Sequence, residues 1–122
     1  MISPFYFMAD VVRVIDGDTI VVNIDLGFKI QQTDEHVRLA YVNTPEVRTR
    51  DLDEKRAGYA AKDFVEMLIG ESNGKVLLRT YKSSGKYGRY IAEIFLVDRE
   101  GNYTFNLNEA LIVSGHSERV EY

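Results

Sequence analysis

Asp16-Gly17-Asp18-Thr19 sets two carboxylates around a glycine, between the β-branched run Val11 to Ile15 and the apolar run Ile20 to Leu26. A carboxylate in such a turn is either a hard oxygen donor for a cation or an acceptor for its own backbone. Taken alone, the pattern is more often only a turn. A second group is cationic. The segment from Arg79 to Tyr90 carries Arg79, Lys82, Lys86 and Arg89, no acid, and the interleaved Tyr81, Tyr87 and Tyr90. That is the composition of a clamp that tracks a phosphate backbone, although a solvated hairpin has the same look. Arg48 and Arg50 form a smaller basic patch just beyond Glu46.

The elements that must position these residues are strands first and helices later. Asp-Gly between β-branched runs predicts a hairpin, because glycine accepts positive φ and aspartate bonds its own backbone. The apolar opening Ile2 to Ala9 belongs with the first strand. Val37, Leu39 and Tyr41 alternate with Arg38 and Ala40 as a third strand with one covered face. The connection 27–36 is polar and is expected to be a mobile loop. Beyond Pro45 the period changes: Ala57, Ala61, Phe64, Val65 and Leu68 fall on one helical face, with Gly70 as the expected stop. Val76 to Tyr81 and Ile91 to Val97 predict two more strands, and Asn106 caps a short helix running to Gly115. Five strands with a helix after the third fit a partly open Greek-key barrel, the OB-fold; mixed α+β sheets fit the same pattern.

The whole chain sets bounds. Its 122 residues suit a single domain, and 45% apolar with 28% charged residues argue against disorder. Without cysteine there is neither a disulfide nor a thiolate metal site. The opening segment has no basic residues before it and stops at Asp10, so it makes a poor signal peptide and is too short to cross a membrane. A formal net charge of −4 weighs mildly against a nucleic-acid partner, and the local basic patches are what answer it.

Val14-Ile15-Asp16-Gly17-Asp18-Thr19, Arg38-Leu39 followed by Asn43-Thr44-Pro45-Glu46, Lys86-Tyr87-Gly88-Arg89, and Asn108-Glu109-Ala110-Leu111 occur in that order. Together they resemble the successive motifs of the staphylococcal nuclease family, with matching spacing apart from a longer 27–36 segment. The resemblance covers roughly Val11 to Gly115. It implies one staphylococcal nuclease-like domain over residues 1–122, a five-stranded OB barrel of the α+β class. It also implies a Ca²⁺-dependent nuclease that hydrolyses phosphodiester bonds of DNA and RNA, with water attacking phosphorus and the 5′-oxygen leaving.

Carried over residue by residue, the resemblance makes Asp18, Asn43 and the Thr44 carbonyl the metal ligands. Proline at 45 holds Thr44 extended, which keeps that carbonyl out of helical bonding. Glu46 becomes the general base. Arg38 and Arg89 stabilise the pentacoordinate dianion, since a guanidinium fork grips two phosphate oxygens and keeps its charge. Tyr87 matches the family tyrosine near the bound phosphate, and Tyr122 aligns near an aromatic that stacks on a base; the composition of 79–90 assigns Lys82 and Lys86 to contact with the substrate backbone, and its place at the head of the Asp-Gly turn gives Asp16 a supporting role. His36 and His116 fall on no motif and read as bland.

Two departures stand out. The type enzyme of the family has aspartate where this chain has Asn43, so weak calcium binding is expected, roughly 10⁻⁴ to 10⁻³ M. That enzyme also runs on into a third helix packed on the barrel. A dimer contact, the 27–36 segment or a trimmed chain end are the three expected explanations for that face, in a monomer or a weak homodimer. A cytoplasmic or phage-encoded intracellular setting is expected, with secretion open and no membrane partner. The rival readings are a catalytically silent OB module that binds nucleic acid or protein and a small inhibitor or assembly protein.

Overall fold

The computed structural model describes residues 5–84 and 90–121, with the backbone alone for 82–84. Strand β1 (Phe5–Asp16) turns through Gly17-Asp18 into β2 (Thr19–Asp25), which pairs with β3 (Gln31–Leu39). On its other edge β1 pairs with β5 (Lys75–Ser84), and β5 with β6 (Tyr90–Val97), all antiparallel. A parallel ladder, Val37 with Tyr90, Arg38 with Ile91 and Leu39 with Ala92, joins β3 to β6. The five strands thus close on themselves, which is the OB barrel, with the closure made by the three-residue ladder between β3 and β6.

Short elements decorate the barrel. Strand β4 (Val42–Asn43) pairs with β8 (Glu118–Arg119), and β7 (Tyr103–Asn106) extends the sheet beyond β6. Helix α1 (Leu52–Glu71) joins β4 to β5; helix α2 (Leu107–Val113) follows β7. Asp51 caps α1 by accepting from the N–H groups of Asp53 and Glu54, and Asn106 caps α2 by accepting from Glu109.

The core is aliphatic: Ile20, Val22, Val37, Leu39, Val65, Val76, Leu78, Ile94 and Leu111 are buried together. α1 contributes Gly58, Ala61, Val65 and Ile69, a three-to-four spacing that puts its small residues at the end nearest the 43–47 segment. From α2, Asn108 reaches inward, its Oδ1 accepting from Ile94 N–H at 2.9 Å and its amide donating to the carbonyls of Ala40 (2.8 Å) and Ala92 (3.1 Å).

Several boundaries differ from expectation. Residues 27–36 are not one loop: β3 already begins at Gln31, and only a tight turn at Gly27-Phe28-Lys29 links it to β2. Gln31 to Glu35 escaped notice because this end of the strand is largely exposed and so shows no apolar alternation. Gly70 lies inside α1; the stop comes at Asn73 and Gly74, whose φ values of 55° and 76° reverse the chain while Gly74 N–H returns to the Ile69 carbonyl. The glycine of the first hairpin is also not there for positive φ. A Cβ on Gly17 would lie 2.8 Å from Ala61 Cβ and 2.9 Å from Thr44 Oγ1, so the turn needs glycine for close approach.

Candidate active site

The site begins at that hairpin. Asp16 ends β1, Thr19 opens β2, and the ladder then sets Thr19 opposite Arg38 on β3. This register brings the Asp18 carboxylate and the Arg38 guanidinium together, with Asp18 Oδ2 3.5 Å from Arg38 Nη2. The same Oδ2 accepts the Thr44 N–H at 3.1 Å, while Oδ1 accepts from the Thr19 hydroxyl at 3.0 Å. Arg38 Nη1 donates to the Leu39 carbonyl at 3.0 Å, and Leu39 N–H to the Asp18 carbonyl at 2.8 Å. Both charged side chains are largely shielded, so removing either would leave the other without its partner in a poorly solvated place.

A second stitch lies beside the first. Asp16 Oδ1 accepts from Val47 N–H at 3.2 Å. Asp16 therefore supports the site by holding the neighbouring segment, where an ordinary turn aspartate would bond its own backbone. Residues 43–47 are pinned to the hairpin at both Thr44 and Val47, and Glu46 lies between these points. Its carboxylate is exposed and has no hydrogen-bond partner among the described residues. The residue's backbone carbonyl rests on Gly58 of α1. Asn43 is exposed too, and its N–H donates to Ser117 Oγ at 2.8 Å.

Against the Asp18 carboxylate the structure sets the Thr19 hydroxyl and the Thr44 backbone, neutral groups. Thr44 Oγ1 is buried without a hydrogen-bond partner, an unsatisfied oxygen against the turn. Among the described residues no group of three or more His, Cys, Asp or Glu side chains gathers as a metal site. An all-oxygen set with a single charge fits a hard cation held weakly and does not fit a transition metal.

The expected phosphate clamp is altered. Lys86, Tyr87 and Arg89 lie outside the described residues, as do the side chain of Lys82 and residue Tyr122. Arg79 and Tyr81, in contrast, are already engaged. Tyr81 donates its hydroxyl to Glu93 Oε1 at 2.5 Å, Arg79 Nη1 lies 3.7 Å from the same oxygen, and Asn106 donates to Glu93 Oε2 at 3.0 Å. Burial, with the Glu93 hydrogen bond behind it, pushes the Tyr81 phenol well above its ordinary range. Tyr90 is packed against the core and accepts from Gln32 Nε2 at 3.0 Å. The stretch 79–90 holds no acid, but Glu93 on the adjoining strand supplies one. His116 stacks on Phe64 with ring centroids 4.7 Å apart, a packing role.

Sequence reasoning passed over Gly58 and Ser117. Gly58 carried a signal, a glycine within an otherwise strong helical pattern, since that position costs about 1 kcal/mol against alanine unless packing requires it. Ser117 carried none.

The family of staphylococcal nuclease homologues matches residues 36–122, which includes Arg38, the 43–47 segment and both helices. The hairpin carrying Asp18 precedes that span and joins it through the contacts to Arg38 and Thr44. The chain is 37% identical over 91 residues to the thermonuclease of Staphylococcus intermedius, covering 74% of this chain and 49% of that protein. It is 29% identical over 132 residues to the uncharacterized protein MJ1439 of Methanocaldococcus jannaschii, covering 92% of this chain and 58% of that protein. The chain thus spans about half the length of these relatives.

Proposed function

Because the chain belongs to the family of staphylococcal nuclease homologues, we propose that it is a calcium-dependent nuclease that hydrolyses phosphodiester bonds of DNA and RNA. The observation that supports this best is the shared hold on Asp18 Oδ2 by the Thr44 N–H and the Arg38 guanidinium. It sets a carboxylate, a fixed cation and the Glu46 segment around one corner of the barrel.

In this reading Asp18, the Asn43 amide oxygen and the Thr44 carbonyl hold calcium. The ion supplies positive charge next to the scissile phosphate. Glu46 takes a proton from the attacking water as its oxygen bonds to phosphorus. The bond to the 5′-oxygen breaks, and that oxygen leaves to become a 5′-hydroxyl with a proton from solvent, while the phosphate stays on the 3′ side. Arg38 keeps N–H donors beyond those spent on Asp18 and Leu39, and with Arg89 it neutralises the charge that grows on the non-bridging oxygens. A positioned base contributes about 10² to 10⁴-fold, so the arginines and the ion carry most of the remaining rate enhancement. Lys82, Lys86 and Tyr87 hold the strand on either side.

A silent OB module that binds nucleic acid without cutting it is the second reading, favoured by the single carboxylate in the donor set. Incubating purified protein with single-stranded DNA and RNA across a calcium series, with a chelator control, separates the two. Calcium-dependent cleavage leaving 3′-phosphate ends is the expected result; binding without cleavage at every calcium level would support the silent module.

A further inference from the structure

Beside the Asp18–Arg38 pair lies a concavity that the proposed chemistry does not use. A groove of about 690 Å³ runs between the end of β1, the segment past Glu46 and the outer face of α1. Arg13, Arg48, Arg50, Lys55 and Lys62 line it together with Tyr59. We infer that this groove is a second phosphodiester-binding subsite, which holds a single-stranded nucleic acid beyond the bond being cleaved.

Charge is the first argument. Five cationic side chains face one groove in a chain whose formal net charge is −4. None of the five forms an ion pair with another described residue, whereas Arg38, Lys75, Arg79 and Arg119 each have an acidic partner. Five cations gathered with a single carboxylate repel one another, and a polyanion relieves that repulsion. The one carboxylate in the lining, Asp16, is turned to Val47 N–H. The volume falls in the range of about 300–1,000 Å³ that ligand sites occupy.

The aromatic is the second argument. Tyr59 is 46% exposed, and Lys62 Nζ lies 6.0 Å from its ring centroid. An exposed ring flanked by cations is what a strand of stacked bases uses, each base–aromatic contact being worth about 1–3 kcal/mol. A free phosphate or a protein carboxylate would leave the ring idle. Continuity is the third argument: Asp16 and Val47 line the groove and also pin the 43–47 segment to the hairpin, so a strand lying here runs on to Glu46 and Asp18.

This subsite rests on the nuclease reading for its substrate, and binding can be measured apart from cleavage. With calcium chelated, the wild type is titrated by fluorescence anisotropy into labelled oligothymidylates of about three and about ten nucleotides, over a range of salt. Two variants are run beside it: Lys55→Gln with Lys62→Gln on the helix, and Arg13→Gln with Arg50→Gln on the facing walls. Thermal melts confirm folding of each. Each pair of lost phosphate contacts should weaken binding of the longer strand by about tenfold and flatten the slope of log affinity against log salt by about 1.4, with a smaller loss for the short one. If the wild type binds and cleaves but both folded variants keep its affinity and salt slope, the subsite is overturned and the nuclease reading stands. A wild type that neither binds nor cleaves either strand overturns both.

Discussion

A Cβ on Gly58 would lie 2.5 Å from the carbonyl oxygen of Glu46 and 3.0 Å from that of Pro45, so α1 and the 43–47 segment touch backbone to backbone. Helix propensity favours alanine over glycine by about 1 kcal/mol, but neither carbonyl can swing aside as a side chain would.

Gly58→Ala is therefore expected to destabilise the fold by about 1–3 kcal/mol and to lower turnover, because the displaced segment carries Glu46. Denaturant melts and cleavage rates on the same preparation check this. A stabilised, fully active variant would show that the contact does not hold the site.

Asn108 ties α2 to the barrel where β3 meets β6. Asn108→Leu removes the partners of Ile94 N–H and the Ala40 carbonyl in a buried place, and a loss of about 2–5 kcal/mol is expected in urea melts. A loss under about 1 kcal/mol would mean that the bonds to Asn108 are replaced.

Much of this was legible in the sequence where one physical requirement acted alone. The Asp-Gly turn, the valine-rich strands and the Asn106 cap each follow from local pattern, and each is present; the helix is present too, but its buried stripe runs through Gly58, Ala61, Val65 and Ile69, and Ala57, expected on it, is exposed. Failures came where two requirements met. Gly17 looks like a turn glycine, yet its job is contact with Thr44 and Ala61 across the sequence. Arg79 and Tyr81 look like phosphate ligands until the β5–β6 register sets Arg79 opposite Glu93. The cationic groove was half visible, as Arg48 and Arg50; Arg13, Lys55 and Lys62 join it only through the packing of α1 on β1.

Asn43→Asp should tighten calcium binding, because affinity rises with the number of anionic ligands. Calorimetry on wild type and variant tests it. Unchanged affinity would exclude Asn43 as a ligand.

The half-buried Tyr81 phenol gives an alkaline signature. Its folded pKa is raised above the unfolded value of about 10, so its contribution to stability is full below that pH and is lost as pH rises toward the folded value. Tyr81→Phe should flatten the fall in melting temperature between about pH 9 and 11. An unaltered slope would assign that fall to other groups.

The most direct measurement is turnover of single-stranded DNA at saturating calcium by the wild type and by Arg38→Ala, with circular dichroism confirming that both are folded. The account predicts calcium-dependent cleavage that drops by at least about 10³-fold in the variant. Near-wild-type turnover by a folded Arg38→Ala protein would contradict it.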